Sequence, residues 1–312
     1  MNLLSSMYGW GVTARNAVYD RGICSVRSLQ GPVVSIGNIS VGGSGKTPFV
    51  LMLGELLKQR GISFDVLSRG YGRQTHGVAL VDPAGTAQQF GDEPLLIARR
   101  LQVPVVVGES RYHAGLFAEG KFGPQLHLLD DGFQHRSLAR EFDIVLLTPE
   151  DVRDTLLPSG RLREPPESLA RADVVVLPSD TATEEFPIDG KKVWRITRGI
   201  SPGRMPERPI VFCGIARPQN FFAQLRAVGT CPAAEAIYRD HHSYSIDDIE
   251  ELLELGRRSH ADGFVTTEKD LVNLGTLAAR LAPLTAVPVK LELEDAGHAI
   301  DTMLGIIQER KL

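Results

Sequence analysis

Cysteine is scarce in this 312-residue chain: only Cys24, Cys213 and Cys231 occur, with no Cys-x-x-Cys pair and no metal-ligand spacing. No disulfide framework is expected, and the three read as reduced thiols of a cytosolic protein. Charge of one sign is not in excess either. The 34 Lys and Arg residues against 38 Asp and Glu leave a net charge of -4, with a pI near 6.1, which gives no global argument for nucleic-acid binding. Repeats, low-complexity tracts and coiled-coil heptads are missing. The uncharged N-terminal stretch, with Leu3, Leu4, Met7, Tyr8, Trp10 and Val12, is shorter than the roughly 20 apolar residues that span a bilayer. It has neither the basic start nor the cleavage site of a secretory signal.

What is present is ordinary globular composition, 43% hydrophobic and 23% charged, in a chain long enough for two domains or one large α/β domain. Short, nearly continuous Val/Ile/Leu runs at 33–36, 64–68, 103–107, 126–129, 144–147 and 174–177 alternate with helix-like stretches at 48–60, 93–100, 112–119 and 168–171. Such runs suit strands buried on both faces, so a doubly wound, mainly parallel sheet is expected. Beyond Pro178 the texture becomes polar and acidic, and residues 199–209 are rich in Gly, Pro and Arg. The expected division is a first domain over 1–185, a connector over 186–206 containing a strand at 193–196, and a smaller α/β domain over 207–312. In the last, strands are expected at 210–214 and 264–266 and helices at 218–228 and 246–258.

The most informative segment is Ser40-Val41-Gly42-Gly43-Ser44-Gly45-Lys46-Thr47, between an apolar strand and a helix. Strand, glycine-rich turn, Lys-Thr and helix form the layout of a P-loop, whose backbone N–H groups cradle phosphates. Lys46 would reach the β- and γ-phosphates, and Thr47 would place its hydroxyl on Mg2+. The pattern departs at one position, since Ser40 stands where a first glycine belongs. A second signal is the apolar strand ending in Asp130-Asp131, the arrangement that sets a carboxylate beside a P-loop to hold Mg2+.

Further candidates are weaker taken singly. In Phe90-Gly91-Asp92-Glu93-Pro94, Asp92 reads either as a helix cap or as a general base for an acceptor hydroxyl. In Asp240-His241-His242, adjacent histidines cannot both face one metal from a regular helix, which disfavours zinc. A His241 reaching across an interdomain cleft to Asp92 would instead tune or relay a proton. Arg69 and Arg73, Arg111, and Arg161 and Arg163 lie in loops after strands or in a Pro-rich loop, where they would suit a phosphorylated acceptor. In the N-terminal stretch Leu4, Met7, Tyr8, Gly11, Arg15 and Val18 fall near one helical face, which reads as a segment lying on a membrane or packed on the protein itself.

Together these segments resemble one family. Gly37-Asn38-Ile39-Ser40-Val41-Gly42-Gly43-Ser44-Gly45-Lys46-Thr47-Pro48 is similar to the P-loop of the tetraacyldisaccharide 4'-kinases. So, in family order, are Ser68-Arg69-Gly70-Tyr71-Gly72, Gly91-Asp92-Glu93-Pro94 and Leu129-Asp130-Asp131-Gly132-Phe133-Gln134-His135. Gly214-Ile215-Ala216-Arg217-Pro218, Asp240-His241-His242 and Thr266-Thr267-Glu268-Lys269-Asp270 complete the set. The resemblance implies transfer of the ATP γ-phosphoryl group to the 4'-hydroxyl of a tetraacylated glucosamine disaccharide 1-phosphate in lipid A biosynthesis. It implies a lipid substrate met at the cytoplasmic face of a bacterial inner membrane, with no nucleic-acid partner. It also implies Asp92 as base assisted by His241, Asp130 and Asp131 in Mg2+ roles, and a smaller domain closing over the nucleotide. Family members commonly begin with a longer hydrophobic segment, and residues 1–19 resemble its end, so peripheral contact is expected rather than insertion. The rival functions are a nucleotide-driven switch, for which the Asn-Lys-x-Asp motif of guanine specificity is missing (Thr267-Glu268-Lys269-Asp270 is its nearest string), and a kinase of a small soluble metabolite.

Overall fold

A computed structural model describes residues 3–183, 186, 188 and 190–311. The strands of the larger sheet are, in chain order, β1 (Val33–Asn38), β2 (Phe64–Ser68), β3 (Ala79–Leu80), β4 (Val105–Val107), β5 (Leu126–Asp130), β6 (Phe142–Leu146), β7 (Val174–Pro178) and β8 (Lys192–Ile200). A late strand, Val289–Leu293, is the ninth, in the order Val289–Leu293, β8, β7, β6, β1, β5, β2, β4, β3. Pairing is parallel except at the two edges, where the late strand runs against β8 and β3 against β4. Strands β1, β2, β4, β5 and β6 are buried along their whole length, the outcome that their mainly apolar runs favour.

The helices before and within this unit are α1 (Leu3–Asp20), α2 (Lys46–Gln59), α3 (Ala87–Phe90), α4 (Asp92–Leu101), α5 (Arg111–Phe122) and α6 (Pro149–Arg153). Alternate strand residues pack to opposite sides. Val34, Ile36, Val66, Leu128 and Ile144 meet Leu53 and Leu57 of α2 and Leu95 and Ile97 of α4. Val33, Leu67, Val106 and Leu129 meet Ala114 and Ala118 of α5.

A second, four-stranded parallel sheet consists of β9 (Pro209–Cys213), β10 (Ala234–Ile237), β11 (Gly263–Thr267) and β12 (Leu284–Val287), in the order β10, β9, β11, β12. Its helices are α7 (Pro218–Ala227), α8 (Ile246–Arg258) and α9 (Glu268–Leu274). Ser245 starts α8 with a capping box, exchanging hydrogen bonds with Asp248, a device that satisfies otherwise orphan amides.

The sheets divide the chain differently from the expected 1–185, 186–206 and 207–312. The expected connector contributes β8 to the large sheet, pairing Val174–Pro178 with Lys192–Ile196. After β12 the chain returns: the late strand, now β13, follows after a single proline, and α10 (Ala296–Lys311) buries Ala299, Ile300, Met303 and Ile307 in the same core as α2. The second unit is therefore the excursion from β9 to β12, and both ends of it are tied to one sheet. Residues 184, 185, 187 and 189, where the first boundary was expected, lie outside the described residues.

Candidate active site

The site lies at the carboxyl ends of the large sheet's strands, where β1 is flanked by β5 on one side and β6 on the other; such ends are where open α/β sheets bind ligands. From β1 the chain turns through Gly42, Gly43 and Gly45, all with left-handed backbone (φ 72°, 65° and 83°), before α2 starts at Lys46. Side chains are disfavoured there. Ser40, by contrast, is not left-handed. It is buried, its Oγ accepting from Asn38 Nδ2 at 3.3 Å and its carbonyl from Arg163 Nε at 3.0 Å. A serine thus serves where the motif has glycine. The first amides of α2 have no partner within the helix and face the turn, forming an anion cradle.

Lys46 Nζ donates to Asn38 Oδ1 at 3.1 Å and pairs with Asp131 at 3.4 Å. Asp131 also receives a forked pair of hydrogen bonds from Arg163, at 2.8 and 3.0 Å. Partial burial works against ionisation of Asp131, but Lys46 and Arg163 hold its carboxyl far below the usual carboxylate range. Asp130 is the opposite case. It accepts from Ser68 Oγ at 3.0 Å through Oδ2, while its buried Oδ1 has no partner. Burial, reinforced by Glu93 and Asp131, pushes its pKa up to about 7. Two adjacent carboxyls thus take opposite electrostatic characters from their surroundings.

Asp92 opens α4, and the helix is capped by Gly91 rather than by Asp92. Gly91 has φ 91°, and a Cβ there would lie 3.0 Å from the Tyr71 carbonyl. The Asp92 side chain, 4% exposed, meets His241 Nδ1 at 2.9 and 3.1 Å, Asn273 Nδ2 at 3.1 Å and the Glu93 amide at 2.9 Å. Burial opposes its ionisation, yet the His241 hydrogen bond and the charge of Lys269 lower its pKa. For His241 burial disfavours the charged ring, but the hydrogen bond and charge of Asp92 outweigh this and raise its pKa. His241 itself is left-handed (φ 58°), anchored by its amide on the Gly214 carbonyl at 3.3 Å, with its ring 5.2 Å from that of Tyr71. His242 turns away to Asp248 and stacks on Tyr238.

One cavity of about 590 Å³ is lined by the glycine-rich loop, Lys46, Thr47, Asp130, Asp131 and His241 among others; Asp92 is not part of its lining and meets it through His241. Of the candidate arginines, Arg69, Arg111 and Arg163 reach it; Arg73 instead ties Glu109, and Arg161 ties Asp154. Arg111 is buried, with Nε unpartnered, and burial pushes its pKa down to about 10 despite Asp130 and Asp131 nearby. Arg217 closes the cavity from the second unit, pairing with Glu150 at 3.0 Å and lying across Gly43, where a Cβ would come within 2.7 Å of its Nε. Asn38, Lys269 and Asn273 received no role from sequence reasoning. Asn38 and Lys269 sit inside the family-like segments, but Asn273 lies outside them all, and Lys269 and Asn273 meet Asp92 only through the fold.

Helix α1 is fastened beside the site: Tyr8 Oη donates to the Arg163 carbonyl at 3.0 Å, Ser5 Oγ bonds Ser159 at 2.8 Å and Asn16 bonds Glu164 at 2.9 Å. The face it leaves open carries Leu3, Leu4, Met7 and Trp10, exposed by 75, 58, 64 and 80%. That stripe differs from the expected one, because Tyr8 is turned inward by its hydroxyl bond. Among the described residues no helix is long and apolar enough to cross a membrane.

Comparison with known proteins agrees over the whole chain. A model of the tetraacyldisaccharide-1-P 4'-kinase family matches residues 1–308. The chain is 51% identical to the tetraacyldisaccharide 4'-kinase of Koribacter versatilis, over 100% of both chains. With that of Geobacter metallireducens it shares 37% identity, over 94% of this chain and 93% of the other. The fold is similar to a crystal structure of an "apo" form of LpxK from Aquifex aeolicus in complex with ATP, with a TM-score of 0.80, 34% identity and 97% of each chain covered. The chain belongs to the tetraacyldisaccharide 4'-kinase family.

Proposed function

We propose that the protein transfers the γ-phosphoryl group of ATP to the 4'-hydroxyl of a tetraacyldisaccharide 1-phosphate, a step of lipid A biosynthesis, with Asp92 as general base. The observation that carries this is the Asp92–His241 contact at 2.9 Å, made across the two units, with His241 lining the same cavity as the glycine-rich loop. A carboxylate there orients an acceptor hydroxyl and takes its proton as the acceptor oxygen bonds the γ-phosphorus. The bond from that phosphorus to the β-bridging oxygen breaks, leaving its electrons on ADP. Family membership and the fold shared with an ATP complex support the nucleotide and the acceptor.

In this reading the amides of residues 40–47, from Ser40 and Val41 through Ser44 to Thr47, surround the phosphates. Lys46 leaves Asn38 and Asp131 to reach the β- and γ-oxygens. Mg2+ suits Asp130 and Thr47, since the bare, buried Oδ1 of Asp130 is the kind of hard oxygen it takes. Asp131, already held by two cations, fits the metal less well. When bound, Mg2+ neutralises charge building on the phosphates. The β9–β12 unit brings His241 and Arg217 over the cradle, so its closure would exclude water and limit ATP hydrolysis. The Leu3, Met7 and Trp10 stripe, close to Arg163 through Tyr8, would rest on the cytoplasmic face of the inner membrane, where the acyl chains are.

The test is phosphoryl transfer from labelled ATP to tetraacyldisaccharide 1-phosphate in detergent micelles, comparing wild type with Asp92→Ala and Lys46→Ala. A phosphorylated lipid from wild type, with losses of about 100-fold or more in both variants, is expected. ATP turnover without lipid product would move the assignment to a nucleotide switch. A product made equally well from deacylated disaccharide would move it to a soluble-metabolite kinase.

A further inference from the structure

The second nitrogen of His241 is not free. Its Nε2 lies 3.2 Å from Lys269 Nζ. An ammonium has three protons and no lone pair, so this hydrogen bond exists only when Nε2 carries no proton. Lys269 is itself firmly charged: burial disfavours the ammonium, but Asp92, Glu93 and Asp240, at 3.8, 3.7 and 3.0 Å, more than offset this and raise its pKa. With Nε2 bare, the one ring proton must sit on Nδ1, facing Asp92. Lys269 and Asn273 stand four residues apart in α9 and therefore share a face; both point at the dyad, and Asn273 holds the Asp92 oxygen that Lys269 approaches.

We propose that Lys269 is a positioning residue for phosphoryl transfer: whenever His241 is neutral, it fixes the ring as the Nδ1–H tautomer. The proposal rests on the kinase reading above. The groups facing His241 are Asp92 from α4, Asp240 beside it in its own loop, Lys269 from α9 and the Tyr71 ring from the loop after β2, while Glu93 of α4 faces Lys269. Asp92 invites a second proton onto His241, and an imidazolium would in turn stabilise the Asp92 carboxylate and weaken it as a base. Lys269 occupies the nitrogen where that proton would enter. The acceptor's proton is thereby left one destination in the dyad, an oxygen of Asp92, while Nδ1–H holds that carboxylate in place.

Two measurements test this. In wild type carrying 15N-histidine, the resonance lost in His241→Gln is expected, once pH is raised until the ring is neutral, to report a protonated Nδ1 and a bare Nε2. A proton on Nε2 overturns the proposal without any assay of activity. Second, Lys269→Met, but not Lys269→Arg, is expected to move the acidic limb of the pH profile of kcat upward by about one unit or more, the scale of a charge neighbour's effect. An unmoved limb in a folded Lys269→Met protein also overturns it. Full transfer by Asp92→Ala would instead remove the base assignment, a result separable from the tautomer seen by NMR.

Discussion

Strand β5 carries a buried histidine whose loss should be felt at the far end of its own ladder. His127 is 0% exposed, with Nδ1 2.8 Å from Asp65 and Nε2 3.4 Å from Glu119. Both nitrogens face carboxylates, an arrangement that favours a proton on each and hence the imidazolium. Burial opposes that charge, but the hydrogen bonds and charges of Asp65 and Glu119 raise the pKa of His127. His127 pairs directly with Asp65 across β5 and β2. Three residues further along the same strands, Ser68 bonds Asp130 in the candidate site. In His127→Leu two buried carboxylates lose their cation, which costs about 3–5 kcal/mol against a total stability of about 5–15 kcal/mol. The sign with pH follows from the raised pKa. The histidine's contribution is complete below its unfolded pKa of about 6.5 and is lost as pH rises through the higher folded value. Urea unfolding followed by tryptophan fluorescence, between about pH 6 and pH 9, reads both effects. Wild type should lose stability over that range, while His127→Leu starts lower and lacks this component of the slope. Adding Asp65→Asn should recover part of the loss. A destabilisation under about 1 kcal/mol, or an unchanged pH slope in the variant, would refute a charged triad.

Two further outcomes are expected. Asp130→Asn should raise the Mg2+ concentration for half-maximal phosphoryl transfer by more than about 10-fold, the lower end of what even outer-shell partners command, whereas ATP titration followed by calorimetry should show much less change without metal. Replacing Met7 and Trp10 with Glu should release the protein from anionic lipid vesicles in a sedimentation assay while leaving transfer to micellar substrate within about 2-fold, because both side chains are exposed and neither lines the cavity; retained vesicle binding would exclude that stripe as the docking face.

Much of the fold was legible because the signals are local. The β-rich run at 64–68, apolar but for Asp65 and Ser68, predicts a strand, and β2 has those bounds. Residues 246–258 were read as a helix, and α8 has those too, stopped at its start by the Ser245 box. The second unit was less legible: β10 and β12 are only four residues long, and each is mostly half-buried or exposed, too short for periodicity to declare them. Nor does any local feature of 289–311 say that these residues leave the small sheet and complete the large one. In the site, the loop glycines and Asp130-Asp131 stand out by spacing and by position after strands. Asn273, 181 positions from the carboxylate it touches, does not.

By itself the amino-acid sequence determined the phosphate cradle, the order of its strands and helices, and a short list of carboxylates, because turn chemistry and hydrophobic period act between near neighbours. Tertiary structure alone decided which of those groups meet. Only the fold brings His241 of one unit onto Asp92 of the other, sets Lys269 against the remaining ring nitrogen, and leaves one oxygen of Asp130, Oδ1, without a partner while Asp131 is held by Lys46 and Arg163. Proton affinity depends on burial and on charges a few ångströms away, and those distances exist only once the chain has closed on itself.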